Sequence, residues 1–180
     1  MSKQRLLKGA LSHSTRPTSA KVRQALFNIW QGKIDGKSWL DICSGTGAIG
    51  ADALLAGASH VVGIELNRQA CLLIQKSWSR LPISEQRFQV IQGDVLRKLK
   101  TLESQKFDFI FFDPPYQSCL YDGVLEKIAS LQLLSSQGEL VVEHNPKFWR
   151  ADKIYQGLEI KRHKHYGDTT LSFFTNSSCN

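Results

Sequence analysis

The chain has 180 residues, 42% of them hydrophobic, which suits one globular domain that buries its core without disulfide or metal staples. Its cysteines, Cys43, Cys71, Cys119 and Cys179, stand far apart with no C-x-x-C pair, so neither a zinc site nor a disulfide framework is indicated, and reduced thiols in a cytoplasmic protein are expected. No apolar run approaches the roughly 18 residues of a membrane span, and no signal-peptide core follows the polar start. The formal net charge is +7, and all of the excess lies in residues 1–34, where Lys3, Arg5, Lys8, Arg16, Lys21, Arg23 and Lys33 meet no acid. Such a block is an electrostatic footprint for a polyanion, because each phosphate neutralised releases condensed counterions.

Thr18 can cap a first helix through Trp30, with Val22, Leu26, Ile29 and Trp30 on one side and Lys21, Arg23 and Gln24 on the other. From residue 38 short β-type runs alternate with helical patterns, the signature of βαβ units and a parallel sheet. Residues 39–42 form the first strand, and Gly57 closes a helix over 48–56. Residues 60–64 form the second strand, ending at Glu65. A helix over 67–80 presents Ala70, Leu73, Ile74 and Trp78 on one face. The third strand, 88–91, leads into Gly93-Asp94 and a short amphipathic helix over 95–103. Residues 107–112 are hydrophobic on both faces, as a central parallel strand must be. A helix over 121–131 and a fifth strand over 138–143 follow. Residues 158–162 and 170–175, flanking His165-Tyr166-Gly167-Asp168, predict an antiparallel hairpin.

Gly45-Thr46-Gly47-Ala48-Ile49-Gly50 fits G-x-G-x-x-G between a strand and a helix, with Glu65 ending the next strand. Glycines let backbone N–H groups approach a ligand, and the carboxylate can accept bonds from ribose hydroxyls. A nicotinamide dehydrogenase would satisfy this pattern equally. Asp41 moves the balance towards S-adenosylmethionine, since a carboxylate there suits a cationic amino group better than a pyrophosphate. Four successive strands thus end at or near an acid: Asp41, Glu65, Asp94 and Asp113. Ligands bind across the carboxyl ends of an open α/β sheet, so the four should line one cleft, although Asp94 would serve equally as a helix cap.

Asp113-Pro114-Pro115-Tyr116 names the chemistry. An exocyclic amine on a nucleic-acid base is a poor nucleophile, because its lone pair is delocalised into the ring. Methyl transfer to it needs acceptors that orient the NH₂ and stabilise developing positive charge. Asp113 and the Pro114 carbonyl can supply them, the prolines stiffen the loop, and Tyr116 offers a stacking face. The tetrad by itself does not choose between RNA guanine and DNA adenine-N6 or cytosine-N4, and a non-catalytic RNA-binding assembly factor could retain the fold.

With these residues in place the chain resembles the RsmD-like bacterial 16S ribosomal RNA (guanine-N2)-methyltransferases. The stretches that carry the likeness are Thr15-Arg16-Pro17-Thr18 with Val22-Arg23 and Ala25-Leu26-Phe27-Asn28, then residues 41–47, 113–116, and Tyr166-Gly167-Asp168-Thr169. The resemblance implies an α/β fold of the Rossmann-like class I S-adenosylmethionine-dependent methyltransferase type, with a seven-stranded, mostly parallel sheet and a C-terminal antiparallel hairpin. It implies S-adenosylmethionine as methyl donor, held by Asp41, Ser44, Gly45, Thr46, Gly47, Glu65 and Asp94. The acceptor implied is a guanine of 16S ribosomal RNA or of the small ribosomal subunit particle, served by Asp113, Pro114, Pro115 and Tyr116. Residues 1–34 would contact RNA through Lys3, Arg5, Lys8, Arg16, Lys21 and Arg23, and residues 35–180 would form the methyltransferase domain. No metal, membrane or obligate protein partner is expected. The chain departs from the family in a shorter basic segment before Thr15 and in Lys21 where an arginine is common, which keeps the charge but loses the planar fork. Tyr166-Gly167-Asp168-Thr169 is left without a role beyond a hairpin turn.

Overall fold

The computed structural model describes residues 20–83 and 87–177. In chain order the elements are α1 (Ala20–Ile29), β1 (Ser38–Ile42), α2 (Ala48–Leu55), β2 (His60–Glu65), α3 (Arg68–Trp78), β3 (Phe88–Gln92), α4 (Val95–Lys98), β4 (Phe107–Phe112), α5 (Leu120–Ser130), β5 (Leu134–His144), β6 (Leu158–Tyr166) and β7 (Thr169–Asn176). The cap expected at Thr18 lies outside the described residues, as do Lys3, Arg5, Lys8, Arg16 and Cys179.

The strands form one seven-stranded sheet in the order β3-β2-β1-β4-β5-β7-β6. β1 to β5 are parallel, whereas β7 runs antiparallel to both β5 and β6. The architecture is therefore the Rossmann-like sheet with a C-terminal hairpin that the sequence predicts. Successive connections diverge from β1 and β4, which opens a crevice at their carboxyl ends. Register fixes what faces it: Ile42 pairs with both Ile64 and Phe112, and Phe112 pairs with Val142. The residues just beyond this row, Cys43, Glu65, Asp113 and Glu143, share one rim.

Alternation along the strands divides the core. Leu40, Ile42, Val62, Ile64, Ile110, Phe112, Leu140 and Val142 pack on one side with α4 and α5. Trp39, Val61, Phe109, Phe111, Val141 and Phe173 pack on the other with α1, α2 and α3. Phe107 to Phe112 of β4 thus fills both layers, each buried phenylalanine contributing roughly 1.5–3 kcal/mol.

Four local expectations change, the first in β5, which begins at Leu134 and not at 138. In α3 the buried stripe is Cys71, Ile74 and Trp78, while Leu73 is 67% exposed. Trp78 sets this rotation. Its indole donates to the Gly47 carbonyl at 2.9 Å and lies where side chains at Gly47, Gly50 and Gly63 would stand. The helix expected over 95–103 is α4 followed by a 3-10 turn over Leu99–Leu102. The hairpin strands are longer than predicted, reaching Tyr166 and starting at Thr169. Polar His163 to His165 concealed the extension of β6, because an edge strand can carry polar residues.

α1 buries Val22, Leu26 and, just beyond it, Trp30. Trp30 lies against Trp39 and Phe109 and donates to Glu139 at 2.5 Å, all near the amino-terminal edge of the sheet. Arg23 pairs with Asp52 of α2 at 3.1 Å. α1 therefore packs beside α2, and its last turn leads to Trp30 at the amino-terminal edge of the sheet.

Candidate active site

The crevice is floored by the loop from β1 to α2. Cys43, Gly45 and Gly47 all take positive φ, 63°, 55° and 73°, which folds the loop tightly under the start of α2; glycine adopts this conformation without a Cβ penalty. A Cβ at Gly45 would meet only the Cys43 carbonyl, at 3.9 Å, so the backbone there borders open space. A Cβ at Gly47 would stand 2.9 Å from Ile74, so the third and sixth positions of the loop serve packing against α3.

Three carboxylates brace this region through backbone N–H groups. Asp41, 1% exposed, accepts from Gly50 at 3.2 Å. Glu65 accepts from Gly45 and from Asn67, both at 2.8 Å. Asp94 caps α4 by accepting from Arg97 at 3.0 Å. Ser44 is buried, donating its hydroxyl to the Asp41 carbonyl at 2.8 Å, and Thr46 is exposed on the loop. Burial raises the Asp41 pKa from 3.8 to about 7 against the pull of the Gly50 N–H and the Ser44 hydroxyl, with the Glu65 charge adding to the rise.

Cys43 reports the arrangement as a whole. Burial first, and then the charges of Glu65, Asp113, Asp41 and Asp94, push its thiol far above the ordinary range. Asp41, Glu65, Asp94 and Asp113 all lie near enough to Cys43 for their charges to bear on it, although Asp41 is buried beneath the cleft rather than lining it. The thiol remains protonated and is a poor nucleophile.

Asp113 follows β4 directly, its N–H donating to the Ile42 carbonyl at 3.3 Å across the crevice. Pro114 is buried and Pro115 exposed. Ser118 donates back to the Pro115 carbonyl at 2.8 Å, closing the loop before α5. Tyr116 is half-buried, its hydroxyl 2.9 Å from Thr169 Oγ1 and 3.3 Å from Glu143 Oε1. Burial pushes its phenol up to about 12, with the Glu143 and Asp113 charges adding and the Thr169 bond opposing.

Asp41, Ser44, Gly45, Glu65, Asp94, Asp113 and Tyr116 therefore gather at one end of the sheet, with Thr46 and Gly47 on the loop between them. Lys21 and Arg23 lie apart, on α1. Glu143, 2% exposed, was missed. In the sequence it is only the last residue of a strand, yet it continues the row of acids at strand tips that runs from Glu65 through Asp113. Leu66, 69% exposed directly after Glu65, is a second omission; an exposed leucine has no signature in sequence.

Comparison with solved structures defines the class: this is the class I methyltransferase fold. A protein of Streptococcus pyogenes is 30% identical, with a TM-score of 0.76 over 87% of this chain and 96% of that one. The family described as "Conserved hypothetical protein 95" matches residues 1–175, and the chain belongs to that RsmD-like family. YlbH of Bacillus subtilis (strain 168) is 29% identical over 174 residues, 96% of this chain and 94% of its own length. "Ribosomal RNA small subunit methyltransferase D" of Haemophilus influenzae is 29% identical, over 73% of this chain and 69% of its own.

Proposed function

We propose that the protein transfers the methyl group of S-adenosylmethionine to the exocyclic N2 amine of a guanine in 16S ribosomal RNA. The observation that carries this reading is the position of Asp113-Pro114-Pro115-Tyr116: it stands at the carboxyl end of the central strand, across the crevice from the glycine loop. The names of the curated relatives, ribosomal RNA small subunit methyltransferases, favour RNA over DNA as the acceptor.

The residues fit the cofactor. The open backbone at Gly45 leaves room for its methionine portion, with Ser44, Thr46 and Gly47 completing the cradle. Asp41 supplies negative charge beneath it, Glu65 retains lone pairs for ribose hydroxyls, and Leu66 and Asp94 offer an apolar surface and an acceptor for a purine. When bound, the cofactor supplies an electrophilic sulfonium methyl. The protein's part is to present the nucleophile. Asp113 accepts one N2 hydrogen and the Pro114 carbonyl the other, which draws electron density onto the nitrogen and turns its lone pair towards the crevice. The positive charge that develops on N2 faces the carboxylate. Stacking on Tyr116 holds the base, worth about 1–3 kcal/mol.

The basic segment belongs to this reading. Lys3, Arg5, Lys8, Arg16 and Lys21 supply the positive charge that RNA phosphates would neutralise. Arg23 serves less, being paired with Asp52. Incubation with labelled S-adenosylmethionine and under-methylated 16S RNA or small-subunit particles should yield N2-methylguanine. Label in duplex DNA and none in either RNA substrate would replace guanine with a DNA base, and binding without transfer would leave an assembly factor.

A further inference from the structure

The turn Tyr166-Gly167-Asp168-Thr169 has no role in the chemistry above, and Glu143 has none either. Both converge on Tyr116. β6 and β7 are joined by Gly167 and Asp168 alone, and Gly167 at φ 64° occupies the first loop position, where two-residue hairpin turns favour glycine. The tight turn fixes Thr169, the first residue of β7, which is 6% exposed. Glu143 comes from β5 and is placed by its pairing with Leu171 of β7. Two separate elements therefore deliver polar groups to one phenol.

We propose that Thr169 and Glu143 are positioning residues that clamp the Tyr116 hydroxyl and so set the plane on which the target base stacks. The inference rests on the reading of Tyr116 as the stacking face. Tyr116 sits in a loop between β4 and α5, outside any hydrogen-bonded ladder, and would otherwise rotate about its side-chain bonds. Its single O–H proton goes to Glu143 Oε1, which leaves the phenolic oxygen to accept from the Thr169 hydroxyl. Donor and acceptor roles are thereby both filled, and the ring is held at its far edge with both faces clear of the clamp. Tyr121, five residues on, shows the contrast: its ring is stacked on Trp149 at 4.6 Å and 9° and is occupied by the core. An outer pair, Lys147 to Asp168 at 3.7 Å, ties the same turn to the segment after β5, but both partners are largely exposed and the contact is weak.

The consequence is a division of labour. Asp113 touches the amine, whereas Thr169 and Glu143 act only through the ring. Removing the Thr169 hydroxyl should misplace a base that still binds, lowering turnover without touching cofactor affinity.

The test is a double-mutant cycle on the full-length chain with T169V, Y116F, their combination and T169S, measuring kcat and KM for RNA, calorimetric affinity for S-adenosylmethionine, and thermal midpoints. T169V should lower kcat about tenfold, equivalent to losing roughly 1.4 kcal/mol of transition-state stabilisation, with cofactor affinity unchanged. Y116F, which loses both bonds, should be at least as impaired, the pair should be no worse than Y116F alone, and T169S should recover most of the rate. Defects that multiply in the pair, or full kcat in T169V, would overturn the clamp. A second measurement needs no activity: in ¹³Cζ-tyrosine NMR spectra of the free protein, T169V should move the resonance assigned to Tyr116. An unmoved resonance defeats the clamp whether or not RNA is methylated. Failure of the wild type to methylate any RNA, with the NMR shift present, would instead defeat the functional reading alone.

Discussion

The two flanks of the crevice are organised differently. On the flank formed by β1, β2 and β3, every carboxylate holds main chain: Asp41 takes the Gly50 N–H, Glu65 those of Gly45 and Asn67, and Asp94 that of Arg97. On the flank formed by β4, β5 and β7, side chains hold side chains. Tyr116 is bonded to Glu143 and Thr169, and His144 and His163 share the Ser172 hydroxyl at 2.7 and 2.9 Å. Bonds to main chain hold the loop itself in place, so the first flank presents a braced cradle. The second can be retuned one residue at a time, which suits the side that must meet a particular base.

The largest effect expected is at the hinge between the flanks. Asp113→Ala should lower methyl transfer on the order of 10³-fold while RNA binding by filter retention is largely kept; loss of binding to the same extent would mean that Asp113 holds structure rather than the amine. Next comes the packing of the fixed flank. Gly50→Ala would drive a Cβ into the ring of Trp78, which is fully buried and anchored through its indole. A loss of about 1–3 kcal/mol in urea unfolding is expected from overpacking, and a neutral result would show that α2 and α3 separate more easily than their contacts suggest.

Asp41 and His144 sharpen the comparison through pH. Asp41 keeps its proton to about 7 in the fold but only to 3.8 when unfolded, so from pH 4 to 7 the folded state binds more protons, and stability from this group falls as pH rises. Burial, aided by His163 and His165 and opposed by the bond to Trp149, lowers His144 from 6.5 to about 4. Between those values the unfolded state binds more protons, so stability from His144 falls as pH drops. Asp41→Asn should cancel the first trend and raise stability at pH 8 by on the order of 2 kcal/mol. It should also weaken S-adenosylmethionine about tenfold through the lost charge. Wild-type cofactor affinity should fall as pH drops through about 7, since a cationic amino group requires Asp41 ionised; affinity flat from pH 6 to 8 would remove Asp41 from the cofactor's reach.

The smallest effects belong to α1, outside both flanks. Lys21→Ala should reduce the slope of log RNA affinity against log salt by about 1. Arg23→Ala should reduce it by less, because its guanidinium is already paired with Asp52. Equal reductions would show that RNA breaks that pair.

The fixed flank was legible in sequence because its signals are local. A strand, a glycine turn and a helix occupy residues 39–55, and an acid at each strand tip needs only the strand boundaries to be found. The choices made by long-range packing were not legible. Leu73 matches the helical period as well as Cys71 does, and only the slot over Gly47, Gly50 and Gly63 that takes Trp78 decides which of them turns inward. Glu143 and Thr169 lie 27 and 53 residues from Tyr116, in strands whose pairing no local pattern states.

What the sequence determined by itself was the alternating α/β order, the glycine cradle, the four converging acids and the tetrad. Each depends on residues close in the chain or on the shared direction of parallel strands. Tertiary structure alone decided the rotation of α3, the fifth acid and the bonds to the Tyr116 hydroxyl. The first follows from the slot that takes Trp78, and the other two from the register of an antiparallel hairpin against β5, where a shift of one residue would turn Thr169 to the opposite face.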